Sequence, residues 1–89
     1  MEKTIYAYPA VFTLKDEEKI TFTFPDLKTP EIPINPEDMP HALDIAADAL
    51  GRWISESLIL ERPLPSATTL EHLVLNANQK GIWVQIIEA

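Results

Sequence analysis

Alternating apolar and polar residues in the first part of the chain predict two β-strands. From Lys3 to Leu14, aromatic and β-branched residues occupy both sets of alternating positions, which favours a central strand covered on both faces. Pro9 removes one backbone donor from this strand, so we expect a bulge or a locally unpaired stretch there. From Lys19 to Phe24, apolar residues alternate with threonines, as in a half-buried antiparallel strand. The charged stretch Lys15–Glu18 would join the two strands as a hairpin turn.

The middle of the chain changes from an extended pattern to a helical one. Three prolines keep residues 31–36 extended, which predicts a short edge strand. Asp38 is the predicted N-cap of a long helix that ends near Leu60. The apolar stripe of this helix is predicted to contain Leu43, Ala46, Ala47, Leu50, Ile54 and Leu58, with Trp53 on its border. Asp44, Asp48 and Arg52 fall on the opposite side of the same helix, where Asp48 and Arg52 are predicted to form an i,i+4 ion pair.

The last part of the chain predicts a short helix, a turn and a closing strand. Thr68 and Glu71 have the spacing of a capping box, so we expect a helix that ends near Leu75. The polar stretch of residues 76–81 is a predicted turn, and Ile82–Ile87 is a strand with apolar residues on both faces.

This order of elements predicts an α+β fold with a three-stranded antiparallel sheet plus a closing strand, and one long helix on one face. A right-handed crossover would place the closing strand parallel to the first strand. The other face of the sheet would be thinly covered, so its apolar residues indicate self-association; they are Ile5, Val11, Trp83 and Ile87. The length of 89 residues fits a single domain, residues 1–89.

The net charge of the chain indicates which class of partner it binds. Fourteen acidic and seven basic residues give a net charge of −7, which disfavours direct binding to nucleic acid. Seven of the acidic residues lie between residues 31 and 61, where Arg52 is the single basic residue. A basic protein is therefore the expected partner.

The absence of cysteine excludes disulfides, thiolate catalysis and thiolate metal sites, and it fits a reducing compartment. The amino-terminal stretch lacks the apolar core of a signal peptide, and no apolar run reaches the roughly 20 residues that span a bilayer. We therefore expect a cytoplasmic protein without membrane contact.

Catalysis is not predicted. Two-metal cleavage of a phosphodiester needs several carboxylates that converge from neighbouring elements. The predicted strands 4–14 and 82–87 contain none, and Glu88 follows the second of them. The two histidines, His41 and His72, suit surface or capping roles better than metal binding. We predict no catalytic residue, no metal site and no cofactor.

Two further features favour structure over chemistry. Asp26 follows Pro25 at the end of the second strand, where its carboxylate is expected to accept hydrogen bonds from backbone amides one or two residues later. Trp53 and Trp83 suit core or interface packing better than a ligand platform.

Four motifs resemble the HicB family, in the order and spacing of that family. They are YPAVF (Tyr8–Phe12), FPDL (Phe24–Leu27), ALDIAADALGRWI (Ala42–Ile54) and PLPS (Pro63–Ser66). The resemblance covers roughly residues 4–88. It implies a partial ribonuclease H-like fold and the function of a HicB antitoxin in a HicAB toxin-antitoxin system. Such a protein binds and sterically inhibits a small basic HicA-type toxin that cleaves mRNA, and it is often a homodimer or tetramer.

The sequence departs from the family pattern at two places. Residues 28–31, Lys-Thr-Pro-Glu, stand where the family usually has Gly-Cys after the motif PDLP, and the first hairpin turn lacks glycine. The chain stops at Ala89, so we expect no C-terminal DNA-binding domain and no operator binding. The acidic residues that we expect to steer the toxin are Glu31, Glu37, Asp44 and Asp48. The alternative function is an orphan HicB-like homo-oligomeric module that binds another protein or a small ligand, without a toxin partner.

Overall fold

A computed structural model describes residues 4–16 and 19–88, with only the backbone of Glu88. Its strands are β1 (Thr4–Asp16), β2 (Lys19–Thr23), β3 (Ile32–Ile34) and β4 (Gln79–Glu88), and its long helix is α1 (Ala42–Ile59). Short 3₁₀ helices lie at Pro25–Leu27, Pro36–His41 and Leu70–His72. The predicted α+β class is confirmed: one antiparallel sheet carries one long helix on one face.

The sheet has the strand order β3-β2-β1-β4, and every neighbouring pair is antiparallel. The predicted hairpin is confirmed, because β1 and β2 pair with Phe12 opposite Phe22. The predicted edge strand is confirmed as β3. Lys15 and Asp16 belong to β1, whereas the other two residues of the predicted turn, Glu17 and Glu18, lie outside the described residues.

Pro9 occupies a part of β1 that β2 does not reach. The amide of Leu14 donates to the carbonyl of Asn78, next to the start of β4, at 2.9 Å. Backbone groups alternate in direction along a strand, so even-numbered residues of β1 direct their amide and carbonyl groups toward β4, and odd-numbered residues direct theirs toward β2. The paired part of β2 begins opposite Val11, so no β2 residue needs an amide hydrogen from Pro9. The expected unpaired stretch is therefore present, but the register shift lies between Leu14 and Asp16 rather than at Pro9.

The direction predicted for the closing strand is wrong. β4 does lie beside β1, but the two strands are antiparallel, with Pro9 opposite Trp83. The crossover rule applies to a helix that returns directly to the sheet. Here residues 61–78, the connecting segment, run from the end of α1 across the opposite face of the sheet, and this extra pass reverses the direction of β4.

The core lies between α1 and the face of the sheet formed by even-numbered residues. Phe22 joins two aromatic neighbours there, since its ring stacks on Phe12 at 5.6 Å and meets the edge of Phe24 at 6.1 Å. Buried core residues from the sheet are Tyr8, Ala10, Phe12, Phe22, Ile34 and Val84, those from α1 are Ala42, Ala46, Leu50 and Ile54, and Phe24 and Leu27 follow β2. Such a continuous cluster supplies most of the stability of a small domain.

The apolar stripe of α1 is rotated from the predicted one. Its centre is confirmed, but Leu43 and Leu58 on one flank are 54% and 46% exposed. On the other flank, Ile45, Ala49 and Trp53 pack against the core instead. The helix is therefore turned toward β2 and β3.

Both predicted caps of helices are wrong. The 3₁₀ helix Pro36–His41 precedes α1, so Asp38 lies inside that turn, where it accepts a 3.4 Å hydrogen bond from Asn35 Nδ2. The second helix is reduced to the 3₁₀ turn Leu70–His72, without a side-chain cap. The physical reason is tertiary, because the hydroxyl of Thr68 binds Asp26 rather than the backbone of its own segment.

The second face of the sheet is covered in its middle by the connecting segment. Side chains of Leu70, Leu73 and Leu75 lie 3.0 to 3.6 Å from the position that a Cβ atom on Gly81 would take. Val11 is buried beneath the same segment, which removes it from the predicted self-association surface. Ile5 and Ile87, farther along the ladder, remain exposed.

Candidate functional site

An apolar groove of about 360 Å³ lies between α1 and the β3 edge of the sheet. Its floor is formed by Phe22, Phe24 and Ile32 from the sheet side and by Ile45 and Trp53 from α1. The groove exists because β3 has only three residues, so the sheet ends before it covers this flank of the helix. Aromatic and aliphatic side chains of a partner suit such a surface.

The rim of the groove on α1 carries Asp48, Arg52 and Glu56. Asp48 Oδ2 accepts from Arg52 Nη2 at 2.9 Å, one helical turn away, which confirms the predicted pair. Both side chains are mostly exposed, and such pairs contribute only about 0–1 kcal/mol to stability. The pair can therefore exchange partners at small cost.

The groove ends near Arg62, where the connecting segment begins. Arg62 Nη2 lies 3.3 Å from Glu56 Oε1, and its guanidinium lies 6.0 Å from the centre of the Trp53 ring. This arrangement holds Trp53 against the core at one end of the groove.

The four predicted binding residues lie in α1, in the 3₁₀ helix before it and in the loop before β3. Asp48 lines the groove, and Asp44 lies one helical turn earlier on the exposed side of α1. Glu37 is exposed in the 3₁₀ helix before α1. Glu31 lies between two groove residues in sequence, but its carboxylate is 2.9 Å from Lys15 Nζ at the far end of β1.

Sequence reasoning missed Glu56 as a rim residue. Its position, eight residues after Asp48 on the same helix, places both carboxylates on one side of α1, and this spacing was the available signal. The apolar floor was not detectable, because its residues come from three separate segments.

The described residues contain no group of three or more His, Asp or Glu side chains able to hold a metal ion. β1 and β4 are longer than predicted and each includes one acid, Asp16 and Glu88. These two acids lie at opposite ends of the ladder, because Glu88 pairs with Thr4. The geometry of the β1–β4 ladder therefore brings no pair of carboxylates together.

Asp26 binds a distant part of the chain rather than its own turn. Its two carboxylate oxygens accept hydrogen bonds from Thr68, one from the backbone amide at 2.8 Å and one from Oγ1 at 2.6 Å. The predicted local acceptor role is wrong, since the turn is closed by the amide of Lys28, which donates to the carbonyl of Pro25. We call the contact between Asp26 and Thr68 the Asp26 clamp.

Tyr8 reinforces the same crossing point. Its hydroxyl donates to the carbonyl of Pro65 at 2.6 Å. Burial raises the pKa of Tyr8 above its ordinary value of 10.0, and electrostatic interactions with Asp26 and Tyr6 raise it further. The hydrogen bonds of Tyr8 and Asp26 thus hold the connecting segment against the sheet at residues 65–68.

The two histidines and the two tryptophans lie in separate parts of the structure. His72 Nδ1 is hydrogen-bonded to Thr69 Oγ1 within one turn, a local structural contact, and His41 is exposed at the start of α1. Trp53 lies on the helix side of the sheet, whereas Trp83 is an odd-numbered residue of β4 on the opposite face. The two rings therefore do not form a common platform.

No protein-family model matches the chain, and the curated proteins include no match to it. Within the part of the chain that the structure describes, no helix is long and apolar enough to cross a membrane.

Proposed function

We propose that the protein is a HicB-type antitoxin. It binds a small basic HicA-type toxin in the cytoplasm, covers the mRNA-cleaving site of that toxin, and self-associates as a homodimer or tetramer. The four sequence motifs support the family, and the ribonuclease H-like description of the fold belongs to this proposal. The observation that carries the binding function is an apolar groove with acidic residues on its rim.

In the proposed mechanism, charged residues speed the encounter with the toxin, and apolar contacts provide the binding affinity. Exposed carboxylates at Glu37, Asp44, Asp48 and Glu56 attract a basic protein over a distance of about one Debye length, roughly 8–10 Å. Apolar side chains of the toxin then enter the groove between α1 and β3. Inhibition is steric, so this protein needs no catalytic group of its own.

The Asp48–Arg52 pair gives the rim a way to exchange partners. A lysine or arginine of the toxin that approaches Asp48 displaces the exposed Arg52 guanidinium. Loss of the Asp48–Arg52 ion pair costs about 1 kcal/mol or less. Glu31 is likewise held in an exposed ion pair, 2.9 Å from Lys15 Nζ, which a basic residue of the toxin can replace at similar cost.

A charge-reversal experiment tests this assignment. The chain is co-purified with a small basic protein encoded by a neighbouring gene, and association rates are measured at several salt concentrations. The variant Asp44→Lys/Asp48→Lys should associate roughly tenfold more slowly at low salt, with a smaller difference at high salt.

The matched control is Glu61→Lys/Glu71→Lys. It changes the net charge by the same amount, but both residues belong to the connecting segment. If both variants slow association equally, the effect comes from net charge alone, and the rim of the groove is not part of the interface. Failure of the wild-type chain to bind any such basic protein would contradict the antitoxin function itself.

A further inference from the structure

The outer edge of β4 presents unpaired backbone groups. β4 has ten residues, and among the described strands it pairs with β1 at the edge of the sheet. Because Asn78 accepts from Leu14, the alternation along the ladder directs the amide and carbonyl groups of odd-numbered β4 residues away from β1. These residues are Gly81, Trp83, Gln85 and Ile87, and no backbone hydrogen bond within residues 4–16 and 19–88 reaches their outward groups.

The two edges of the sheet differ in protection. β3 has three residues, and one of them is Pro33. In contrast, the run Gly81–Ile87 of β4 contains neither proline nor a charged residue. Natural sheets normally protect an exposed edge with short strands, prolines or charges. The unprotected edge of β4 is therefore suited to pairing with another strand.

We propose that β4 pairs in antiparallel register with β4 of a second copy of this chain, with the two-fold axis at Val84. This inference rests on the self-association proposed above and specifies its interface. In this register Trp83 lies opposite Gln85 of the second copy, so the outward backbone groups of each meet. Lys80 lies opposite Glu88 of the second copy, which places opposite charges at both ends of the paired strands.

The same register matches apolar residues on the face opposite α1. Ile87, which is 59% exposed, would lie opposite Gly81 of the second copy. Leu70, Leu73 and Leu75 already fill the space over Gly81, and Leu70 and Leu75 remain partly exposed there, so the isoleucine would pack against these leucines. Two-fold symmetry forms each of these contacts twice. The proposed dimer thus covers apolar surface that the single chain leaves exposed.

The first experiment removes an outward amide. Sedimentation equilibrium of the purified chain, without any toxin, gives the dissociation constant of the dimer. Gln85→Pro deletes a donor that β1 does not use, and it should raise this constant about tenfold or more. Gln85→Ala removes the side chain but keeps the amide, and it should leave the constant within about threefold of the wild-type value. Circular dichroism verifies that each variant is folded.

The second experiment tests the register. Lys80→Glu or Glu88→Lys alone would place like charges opposite each other twice per dimer, so each should weaken the dimer roughly tenfold. The combined Lys80→Glu/Glu88→Lys variant restores opposite charges and should return the constant to near the wild-type value. This test remains valid if the proline variant does not fold.

The outcomes separate the strand interface from the other proposals. A wild-type chain that stays monomeric over the full concentration range would overturn both self-association and the pairing of β4. A dimer that responds neither to Gln85→Pro nor to the charge exchange would overturn the β4 interface alone. Neither result bears on toxin binding, which is measured with the partner present.

Discussion

Removal of the Asp26 carboxylate should release the connecting segment from the sheet. Asp26 accepts two short hydrogen bonds from Thr68, at 2.8 and 2.6 Å. Hydrogen bonds to a charged group contribute about 1.5–3 kcal/mol each when buried, and less where water can replace the partner. Both residues are half-buried, so we expect Asp26→Ala to lower the free energy of unfolding by about 2–3 kcal/mol.

The local nature of the clamp gives a second expectation. Asp26→Asn keeps one acceptor oxygen and offers a donor to Thr68 Oγ1, so it should cost only about 1 kcal/mol. Thr68→Val keeps the shape and the backbone amide but removes the hydroxyl. A double-mutant cycle between Asp26→Ala and Thr68→Val should therefore give a coupling free energy of about 1 kcal/mol.

Urea denaturation measures these free energies, and hydrogen exchange localises the change. In Asp26→Ala the amide of Thr68 should exchange faster, while amides in the middle of the β1–β2 ladder should change only through global stability. Glu71→Ala is the matched control, because Glu71 is an exposed carboxylate on the same segment and should cost less than about 0.5 kcal/mol. If Asp26→Ala costs no more than this control, water replaces the clamp and our reasoning is refuted.

Two further predictions concern the ends of the connecting segment. Glu61 has a left-handed backbone (φ 55°) directly after α1, where Arg62 N donates to Ser57 O and Glu61 N donates to Leu58 O. Glycine adopts this conformation without strain, so Glu61→Gly should raise the free energy of unfolding by about 1 kcal/mol, measured by thermal or urea unfolding. The control Glu61→Ala should not, and equal stability of the two variants would contradict the strain argument. The pKa of Tyr8 is raised in the folded state, so as pH rises the unfolded chain loses the phenolic proton of Tyr8 before the folded chain does. The free energy of unfolding should therefore fall from about pH 10 upward, through the pKa of the folded state. Tyr8→Phe should lack that part of the decline, and an unchanged alkaline decline of the unfolding free energy would disprove the assignment.

The predictable part of the fold lies in patterns that are complete within one segment. Alternation in β2 and the helical period of α1 predicted these elements and the centre of the helix stripe. The Asp48–Arg52 pair was also predictable, because its spacing of four residues depends only on helix geometry. The acidic side chains on the exposed side of α1 follow from the same periodicity.

Contacts between distant segments could not be predicted. Thr68 has the local spacing of a helix cap, yet it binds Asp26, 42 residues earlier in the chain. The rotation of α1 packs Ile45 against the core and leaves Leu43 54% exposed, because β2 and β3 supply apolar neighbours on the Ile45 flank. The groove depends on this rotation, so its floor could not be predicted from the sequence, whereas Asp48 on its rim was predicted and Glu56 was missed.

By itself the sequence determined a cysteine-free, acidic α+β chain with one long amphipathic helix, because composition, charge and short-range periodicity are properties of neighbouring residues. Only the tertiary structure decided the direction of β4, the covering of the second sheet face and the residues beside the groove. These features depend on the connecting segment crossing the sheet, and that crossing is stabilised by hydrogen bonds between residues far apart in the chain, for which no local pattern exists.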